Sequence, residues 1–390
     1  MTQEIYITGS GHTKFGRLDL NLEQMIVAVA QEAMTEAQVA PQDIDAVFLG
    51  HFNAGMVGDG FASSLALQVS PEMRFVPAVR CENACASGSA AILAGTNAIL
   101  AGKARTVLVV GAEKMTHRST SDVTAALASA GYQNDPRESG LSFPQVFAQV
   151  AAAYEARHGD PLPAMARIAE KNHRNALANP LAQMRREMTF DQCNTVTDKN
   201  PQIAPPLRLS DCSLISDGAA AVVLRAADAA GDSPRRVKVA ALEHVSDFLP
   251  ISARDVLAFE GPRLVIAKAL DRAGIGIHDV DLAEVHDCFT IAELLVYEAL
   301  GLAKPGRGAD ALAEGTVLAT GSLPVNLSGG LKAKGHPVGA TGVSMHALGF
   351  RQLTGQAGDM QRHGAEFALL FNMGGAAVAN YATILQARKD

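Results

Sequence analysis

The pattern of hydrophobic and polar positions repeats once along the chain. Residues 33–45 and 269–281 carry the same apolar and aspartate positions at a constant offset. In both copies, apolar residues three and four apart predict a helix, which is followed by an Asp-x-Asp turn. Each copy then enters a short apolar run, at 46–49 or 282–285, that is typical of a strand. The repeat indicates two α/β units of related design.

Both units continue in the same way. Small-residue turns at 85–88 and 339–342 precede a second helix, and strongly apolar runs follow at 106–111 and 367–371. Helices that alternate with continuous apolar strands are typical of a layered α/β fold with parallel strand pairing. We therefore predict a duplicated α/β fold.

The segment between the two units has a different character. Residues 112–237 contain several proline-punctuated turns and short helical patterns, and we expect them to fold over the first half as a lid, with a solvated connector as the alternative. The predicted division assigns residues 1–111 with 215–240 to the first half, 112–237 to an inserted loop region, and 241–390 to the second half. The boundary of the insertion overlaps the last strand of the first half.

Composition narrows the class of protein. The chain has 390 residues, 48% apolar and 19% charged, with a net charge of −7 and no basic run, which disfavours binding to nucleic acid or to an anionic membrane. The uncharged stretches 83–102 and 367–387 are interrupted by polar and small residues, so we expect no membrane span. No secretory signal is evident, and five cysteines, an odd number, suggest reduced thiols and a cytoplasmic location.

The first candidate for chemistry is Cys85, where a tight turn meets the start of a helix. The helix dipole is expected to lower the pKa of a thiol in this position. The small residues that follow leave peptide N–H groups free to face an oxyanion. The alternative is a buried structural cysteine, which is the interpretation we give to Cys81.

Two further segments carry candidate side chains. His286 and Cys288 follow the strand at 282–285, and residues two apart on an extended chain project to the same side. The alternative for this pair is half of a metal site. His336 lies in a glycine-rich run that opens a helix, and the turn at 372–375 offers further backbone N–H groups.

Metal and nucleotide sites fit the sequence poorly. Cys81 and Cys85 are spaced loosely for zinc and have no second ligand pair, so we predict no metal. The glycines at 9–16 lack the helix-opening pattern of a dinucleotide site, and the run at 330–335 is followed by His-Pro rather than Lys-Ser/Thr.

Taken together, the motifs resemble those of the thiolase family, in particular its sterol carrier protein 2-type branch. The residues that carry the resemblance are Asn-Ala-Cys85-Ala-Ser-Gly, His286-Asp-Cys288-Phe and the run from Gly-Gly to Gly-His336-Pro-x-Gly-Ala-Thr-Gly. The likeness extends over essentially the whole chain. It implies the thiolase fold, with two duplicated βαβαβαββ halves in an α-β-α-β-α layering and an inserted loop domain.

The resemblance also implies roles for individual residues. Cys85 would be the nucleophile, His336 its base, and His286 the donor of an oxyanion hole for the coenzyme A (CoA) thioester. Family members carry an acid/base cysteine near the C-terminus where this chain has Asn372, so Cys288 becomes the candidate. Backbone N–H groups of Cys85 and Gly374 would form a second oxyanion hole, and Phe289 would line the substrate site.

The implied activity is that of a CoA-dependent acyltransferase, which cleaves 3-ketoacyl-CoA with CoA or condenses acyl-CoA with acetyl-CoA. No bound cofactor is expected, because CoA and its thioesters are substrates. The resemblance implies a homodimer or tetramer and allows a small OB-fold/zinc-ribbon partner protein. The acyl chain length and the CoA phosphate ligands stay open, although Arg185, Arg186 and Lys199 of the insertion are candidates for the latter.

The sequence also leaves alternative functions to be considered for this fold. A thiolase-like enzyme could acylate a non-CoA acceptor within a multi-protein complex. Aldolase-type relatives tend to lack the nucleophilic cysteine, and ketoacyl synthases lack the Gly-His-Pro motif and Cys288. A non-catalytic lipid or CoA-ester carrier has no need of the paired nucleophile and base.

Overall fold

The computed structural model describes residues 3–388 except Asp232 and Pro234. The outer ends of the predicted halves, at residues 1–2 and 389–390, therefore lie outside the described residues, as do positions 232 and 234 in the predicted overlap. The strands of the described part are β1 (Ile5–His12), β2 (Ala46–Gly50), β3 (Ala78–Cys81), β4 (Thr106–Glu113), β5 (Gln202–Ala204), β6 (Leu207–Arg208), β7 (Gly218–Ala226), β8 (Val237–Ser246), β9 (Leu282–Val285), β10 (Phe367–Gly374) and β11 (Ala379–Ala387).

Helices alternate with these strands in both halves. They are α1 (Leu22–Ala37), α2 (Ala62–Leu65), α3 (Ser87–Leu100), α4 (Thr120–Ala128), α5 (Phe143–His158), α6 (Leu162–Ala176), α7 (Phe190–Asn194), α8 (Ala227–Ala230), α9 (Glu260–Ala273), α10 (Thr290–Ala299), α11 (Gly308–Ala313) and α12 (Thr341–Leu353). Within the described residues, no helix is both long and apolar enough to cross a bilayer.

Among the described residues, the main sheet has nine strands, in the order β3-β2-β4-β7-β1-β8-β11-β10-β9. Outwards from the contact between β1 and β8, the two halves follow the same order, and Val325 pairs in parallel with Ala283 of β9 where β3 pairs with β2 in the first half. The predicted duplication is confirmed. Parallel pairing holds for β2 with β3 and β4 and for β9 with β10, whereas the other neighbours run antiparallel.

The two halves are joined into one continuous sheet, which the sequence pattern does not reveal. The junction consists of two antiparallel residue pairs, Tyr6 with Lys238 and Ile7 with Val237. Each half would otherwise leave its first strand at an open edge with unpaired N–H and C=O groups. Pairing β1 with β8 closes both edges at once.

Alternating side chains of the buried strand β4 connect two layers of helices. Val107 and Val109 belong to the core that includes α3, whereas Leu108 and Val110 belong to the core that includes α1. Successive strand residues point to opposite faces, so β4 separates these helices. In the second half, α9 packs on β8 and β11, and α12 packs on α3 between the two halves of the sheet. The predicted five-layer α-β-α-β-α arrangement is confirmed.

The inserted segment packs chiefly on the second half, which corrects the expectation that it folds over the first. Helices α5 and α6 contact α10, and α6 also contacts the turn at Gly330–Lys334. An ion pair holds the inserted segment in this position in addition to apolar packing. Lys171 of α6 forms a buried ion pair with Glu293 of α10, with 2.9 Å between Nζ and Oε1. A buried charge is costly unless it is paired, so this contact fixes where the segment lies.

Candidate active site

The turn between β3 and α3 presents Cys85. Ala84 has a left-handed backbone with φ of 50°, unusual for a residue other than glycine. The turn is held by the N–H of Ala86, which donates to the Asn83 carbonyl at 3.0 Å, and by the N–H of Ser87, which donates to the Ala84 carbonyl at 3.1 Å. Strain of this kind clusters at functional sites. The turn sets Cys85 immediately ahead of the helix.

The thiol of Cys85 is neutral at rest, contrary to the expectation from the helix dipole. Burial raises the pKa of Cys85 to about 12, although the backbone N–H groups of Gly375 and of Cys85 itself favour the thiolate. The loss of solvation outweighs the stabilisation that a helix terminus provides. Cys85 therefore needs a base to become a nucleophile.

His336 has the geometry of such a base. Its backbone N–H donates to Ser216 Oγ at 2.9 Å, and its Nδ1 lies 2.8 Å from Thr341 Oγ1. The Thr341 hydroxyl donates to the Pro337 carbonyl, so it accepts a hydrogen bond from Nδ1–H and leaves the Nε2 lone pair free. Burial, and then the nearby Lys334 ammonium, lower the pKa of His336 to about 3, which keeps the imidazole neutral.

His286 follows β9 and meets His336 edge-on, with ring centroids 5.1 Å apart and an interplanar angle of 85°. Its Nδ1 lies 2.9 Å from Asn372 Nδ2, and its Nε2 is buried without a hydrogen-bond partner among the described residues. Burial and the neighbouring His336 hold the pKa of His286 well below its usual value. This imidazole is also neutral.

Three of the predicted site residues converge closely. The sulfur of Cys85 and one ring nitrogen each from His286 and His336 lie within 4.8 Å of one another. Cys81 and Cys288, which the sequence also raised as zinc candidates, are not members of this group of potential ligands in the described chain. The absence of a metal stays a prediction.

Cys288 lies in the same cavity as Cys85. The cavity has a volume of about 330 Å³, and both cysteines line it together with Phe289 and His336. Burial, with Cys85 nearby, raises the pKa of Cys288 well above its usual value. Phe289 stacks on Phe147 of α5, with ring centroids 4.6 Å apart. The structure therefore brings together all four side chains to which a catalytic role was assigned.

The rest of this cavity is mostly apolar and is built largely by the inserted segment. Its further lining residues are Met115, Thr120, Thr124, Leu127, Phe143, Pro144, Ile203, Leu209, Cys212, Ser213, Leu214, Ile215, Val338 and Gly375. Apolar walls around a few convergent polar groups are the usual form of a small-molecule site.

A carboxylate next to the two catalytic candidates ties their loops together. Asp287 accepts hydrogen bonds from the backbone N–H groups of Leu331 at 2.6 Å and Lys332 at 3.2 Å, and from Asn172 at 2.7 Å. Burial and the neighbouring Glu293 raise the pKa of Asp287. This carboxylate fixes the end of β9 against the loop that carries His336.

Sequence reasoning missed part of the site. The assignment of Gly374 to the second oxyanion hole stays a prediction, and the structure adds Gly375, whose N–H faces the Cys85 sulfur and which lines the cavity. Sequence reasoning treated Asn372 only as a missing cysteine and overlooked its contact with His286. The two adjacent glycines were a visible signal in the sequence for the role of Gly375. The contact between Asn372 and His286 joins residues 86 positions apart, so no local pattern indicates it.

The fold and site define a class of protein: a duplicated five-layer α/β enzyme with a thiol beside two neutral imidazoles. Comparison with protein families identifies the class more closely. The thiolase N-terminal domain matches residues 5–228, and the thiolase C-terminal domain-like family matches residues 243–387. The chain belongs to the thiolase family and is a CoA-dependent acyltransferase, as the sequence motifs predicted.

Curated relatives cover most of the chain. An acetyl-CoA acetyltransferase of Methanothermobacter thermautotrophicus is 37% identical over 377 residues, which are 96% of this chain and 97% of the relative. Human sterol carrier protein 2 is 31% identical, over 95% of this chain and 70% of its own length. The benzoylsuccinyl-CoA thiolase subunit BbsB of Thauera aromatica is 29% identical, over 91% and 90%.

Solved structures agree in fold. The human mitochondrial 3-ketoacyl-CoA thiolase in complex with CoA has a TM-score of 0.74 and 20% identity, over 100% of this chain and 99% of the other. The Ltp2-ChsH2(DUF35) aldolase has a TM-score of 0.80 and 22% identity, over 99% and 98%. At these identities the likeness supports the fold alone, and it confirms the predicted thiolase fold.

Proposed function

We propose that Cys85 carries the acyl group during thiolytic cleavage of 3-ketoacyl-CoA and during the reverse condensation of two acyl thioesters. The observation that carries this proposal is the approach within 4.8 Å of the Cys85 sulfur to ring nitrogens of His286 and His336. A thiol beside a neutral imidazole is the arrangement that nucleophilic catalysis requires.

In the first half-reaction, the Cys85 sulfur attacks the thioester carbonyl while His336 Nε2 takes the thiol proton. Burial disfavours both the free thiolate and the free imidazolium, so proton transfer accompanies attack rather than precedes it. The tetrahedral oxyanion accepts hydrogen bonds from the backbone N–H of Cys85 and from the 374–375 turn, each worth about 2.7–4 kcal/mol. The proton held by His336 then leaves with the CoA thiol.

In the second half-reaction, Cys288 passes its thiol proton to the neutral imidazole of His336, which lines the same cavity, and removes an α-proton from the second acyl thioester. A free thiolate at Cys288 is costly because the side chain is buried. The enolate oxygen that forms therefore needs a strong donor, and we assign this role to the unpartnered Nε2–H of His286. The enolate carbon attacks the acyl group on Cys85, the carbon–carbon bond forms, and the released Cys85 sulfur takes the proton back from His336.

A second candidate is acyl transfer to a non-CoA acceptor within a multi-protein complex. Two comparisons favour keeping it: the relative from Thauera aromatica is named as a subunit, and one structural neighbour is an aldolase solved with a DUF35 protein. Retention of Cys85 and Cys288 in one cavity favours thiolase chemistry over aldol cleavage. A purely carrier function leaves both thiols and both imidazoles without a purpose.

The two cysteines should separate the half-reactions. We expect Cys85→Ala to abolish the acyl adduct that intact mass spectrometry detects after incubation with acetyl-CoA. Cys288→Ala should still form the adduct but lose carbon–carbon bond formation and cleavage, because only the α-proton transfer is removed. Cys193→Ala changes a buried cysteine outside the cavity lining and serves as the control. Equal loss of both half-reactions in Cys288→Ala would contradict the division of roles.

The cavity also supports a proposal on acyl chain length. Its volume of about 330 Å³ lies within the range of small-molecule pockets and exceeds what an acetyl group needs. We propose that the enzyme accepts apolar acyl chains longer than acetyl, held by the walls that the inserted segment supplies.

A narrowed cavity should shift the chain-length preference. Thr124→Phe places a ring in the cavity and should lower kcat/KM for a C10 relative to a C4 ketoacyl-CoA by roughly tenfold or more, since one methylene alone is worth about 10–200-fold. Ser121→Phe, on the exposed side of the same helix, is the matched control. A panel from C4 to C16 measures both. An unchanged ratio in Thr124→Phe would refute the assignment of this cavity.

The exposed end of the sheet supports a homodimer. Strand β3 pairs with β2 on one side only, Val79 is 51% exposed, and the nearby Phe61 and Phe75 are 85% and 83% exposed. An unpaired apolar edge of this kind is a protein-interaction surface. A partner protein of the OB-fold/zinc-ribbon type remains part of the second candidate function.

Sedimentation velocity tests this surface. We expect a dimer for the wild-type chain and a shift towards monomer for Val79→Lys, because the new charge would be buried in the contact. Val196→Lys, at a comparably exposed valine of the inserted segment, should stay dimeric. A wild-type monomer at micromolar concentration, or a Val79→Lys dimer of unchanged strength, would contradict the proposal.

A further inference from the structure

The side chain of Asn372 has its orientation dictated by its neighbours. Its Oδ1 accepts a hydrogen bond from Ser89 Oγ at 2.8 Å, and its Nδ2 donates to the Cys85 carbonyl at 3.3 Å. A carbonyl oxygen only accepts hydrogen bonds, so the group that faces it must be the NH₂ end of the amide. The two polar ends of Asn372 therefore cannot be exchanged without losing the bond to Cys85.

This orientation determines which nitrogen of His286 carries the proton. The second N–H of Asn372 Nδ2 faces His286 Nδ1 at 2.9 Å, so Nδ1 must be the unprotonated acceptor. In a neutral imidazole the proton then sits on Nε2. That nitrogen is buried and has no partner among the described residues. A buried donor without a partner is unfavourable, and a substrate oxygen that accepts its hydrogen bond removes this cost on binding.

The opposite tautomer is present elsewhere in the same fold. His346 Nδ1 lies 2.7 Å from the Gly342 carbonyl and must carry a proton, while its Nε2 lies 3.0 Å from Thr383 Oγ1. His336 Nδ1 donates to Thr341 by the argument given above. The tautomer of His286 is therefore a local property that Asn372 imposes.

We infer that Asn372 is a positioning residue that locks His286 as an Nε2–H donor and thereby makes it an oxyanion-hole group. This inference rests on the proposed function for the identity of the oxyanion.

The wild-type enzyme tests the lock directly. Protein labelled with ¹⁵N-histidine is measured by NMR, in which protonated and unprotonated ring nitrogens are distinct and couple differently to the ring protons. His286, assigned by the loss of its signals in His286→Gln, should show Nε2–H, and His346 supplies the reference for Nδ1–H. A neutral Nδ1–H form or an imidazolium at His286 would overturn the inference whether or not the enzyme turns over ketoacyl-CoA.

A variant of the same size tests the consequence. Asn372→Asp offers only acceptor oxygens to Nδ1, so it should reverse the tautomer of His286. The kcat should fall by about 100- to 1,000-fold, as when an oxyanion donor is removed, with little change in KM. Ser89→Ala keeps both Nδ2 contacts and should retain the Nε2–H signal.

The outcomes separate the two proposals. A wild-type tautomer in Asn372→Asp, or a reversed tautomer with unchanged kcat, would refute the role of Asn372 while leaving the thiolase reaction intact. An inactive wild-type enzyme with His286 in the Nε2–H form would instead count against the proposed reaction. If Asn372→Asp does not fold, the wild-type spectrum alone still decides whether the lock exists.

Discussion

The site depends on a close contact between the first turns of α3 and α12, where glycine lets the two backbones approach each other directly. A Cβ atom placed on Gly88 of α3 would lie 2.8 Å from the Val343 nitrogen and 2.9 Å from the Gly339 oxygen at the start of α12. Real Cβ atoms do not approach backbone so closely, so glycine is required there. Cys85 lies in the turn that enters α3, and His336 lies in the loop that enters α12. The glycine contact between the two halves is thus what brings the proposed nucleophile and its proposed base together.

Burial then determines the protonation state of what that contact assembles. The thiols of Cys85 and Cys288 and the imidazoles of His286 and His336 are all held neutral, because each charged form would lose its solvation. Without substrate, these four side chains therefore carry no charge. Charge develops on them only when a substrate carbonyl is present to react with the thiol. In the proposed reaction, hydrogen-bond donors that are already in place, at the 374–375 turn and at His286, stabilise that charge without reorganisation.

Much of this could be predicted from sequence because it is local. The strands at 46–49, 106–111, 282–285 and 367–371, the duplication, and the four catalytic candidates all follow from patterns within a few residues or from motif resemblance. The pKa of Cys85 was predicted with the wrong sign, since a helix start is visible in sequence whereas desolvation is not.

The features that sequence did not reveal depend on partners distant in the chain. The β1–β8 junction pairs residues 6 and 238, the Asn372–His286 contact spans 86 positions, and α6 reaches α10 through Lys171 and Glu293. None of these contacts produces a periodic pattern of hydrophobic and polar residues in the sequence. They are nevertheless what joins the sheet, sets a tautomer and places the walls of the cavity.

The most direct test of the account is the rate at which an acyl-CoA acylates Cys85 in a single turnover of Gly88→Ala. The added methyl group must push α3 away from α12, and a misplacement near 1 Å can cost about 100-fold in rate. We predict a folded protein whose acylation is at least about tenfold slower than wild type, whereas Gly58→Ala, with nothing within 4 Å of the new carbon, acylates normally. A folded Gly88→Ala enzyme that acylates at the wild-type rate would contradict the claim that this contact builds the site.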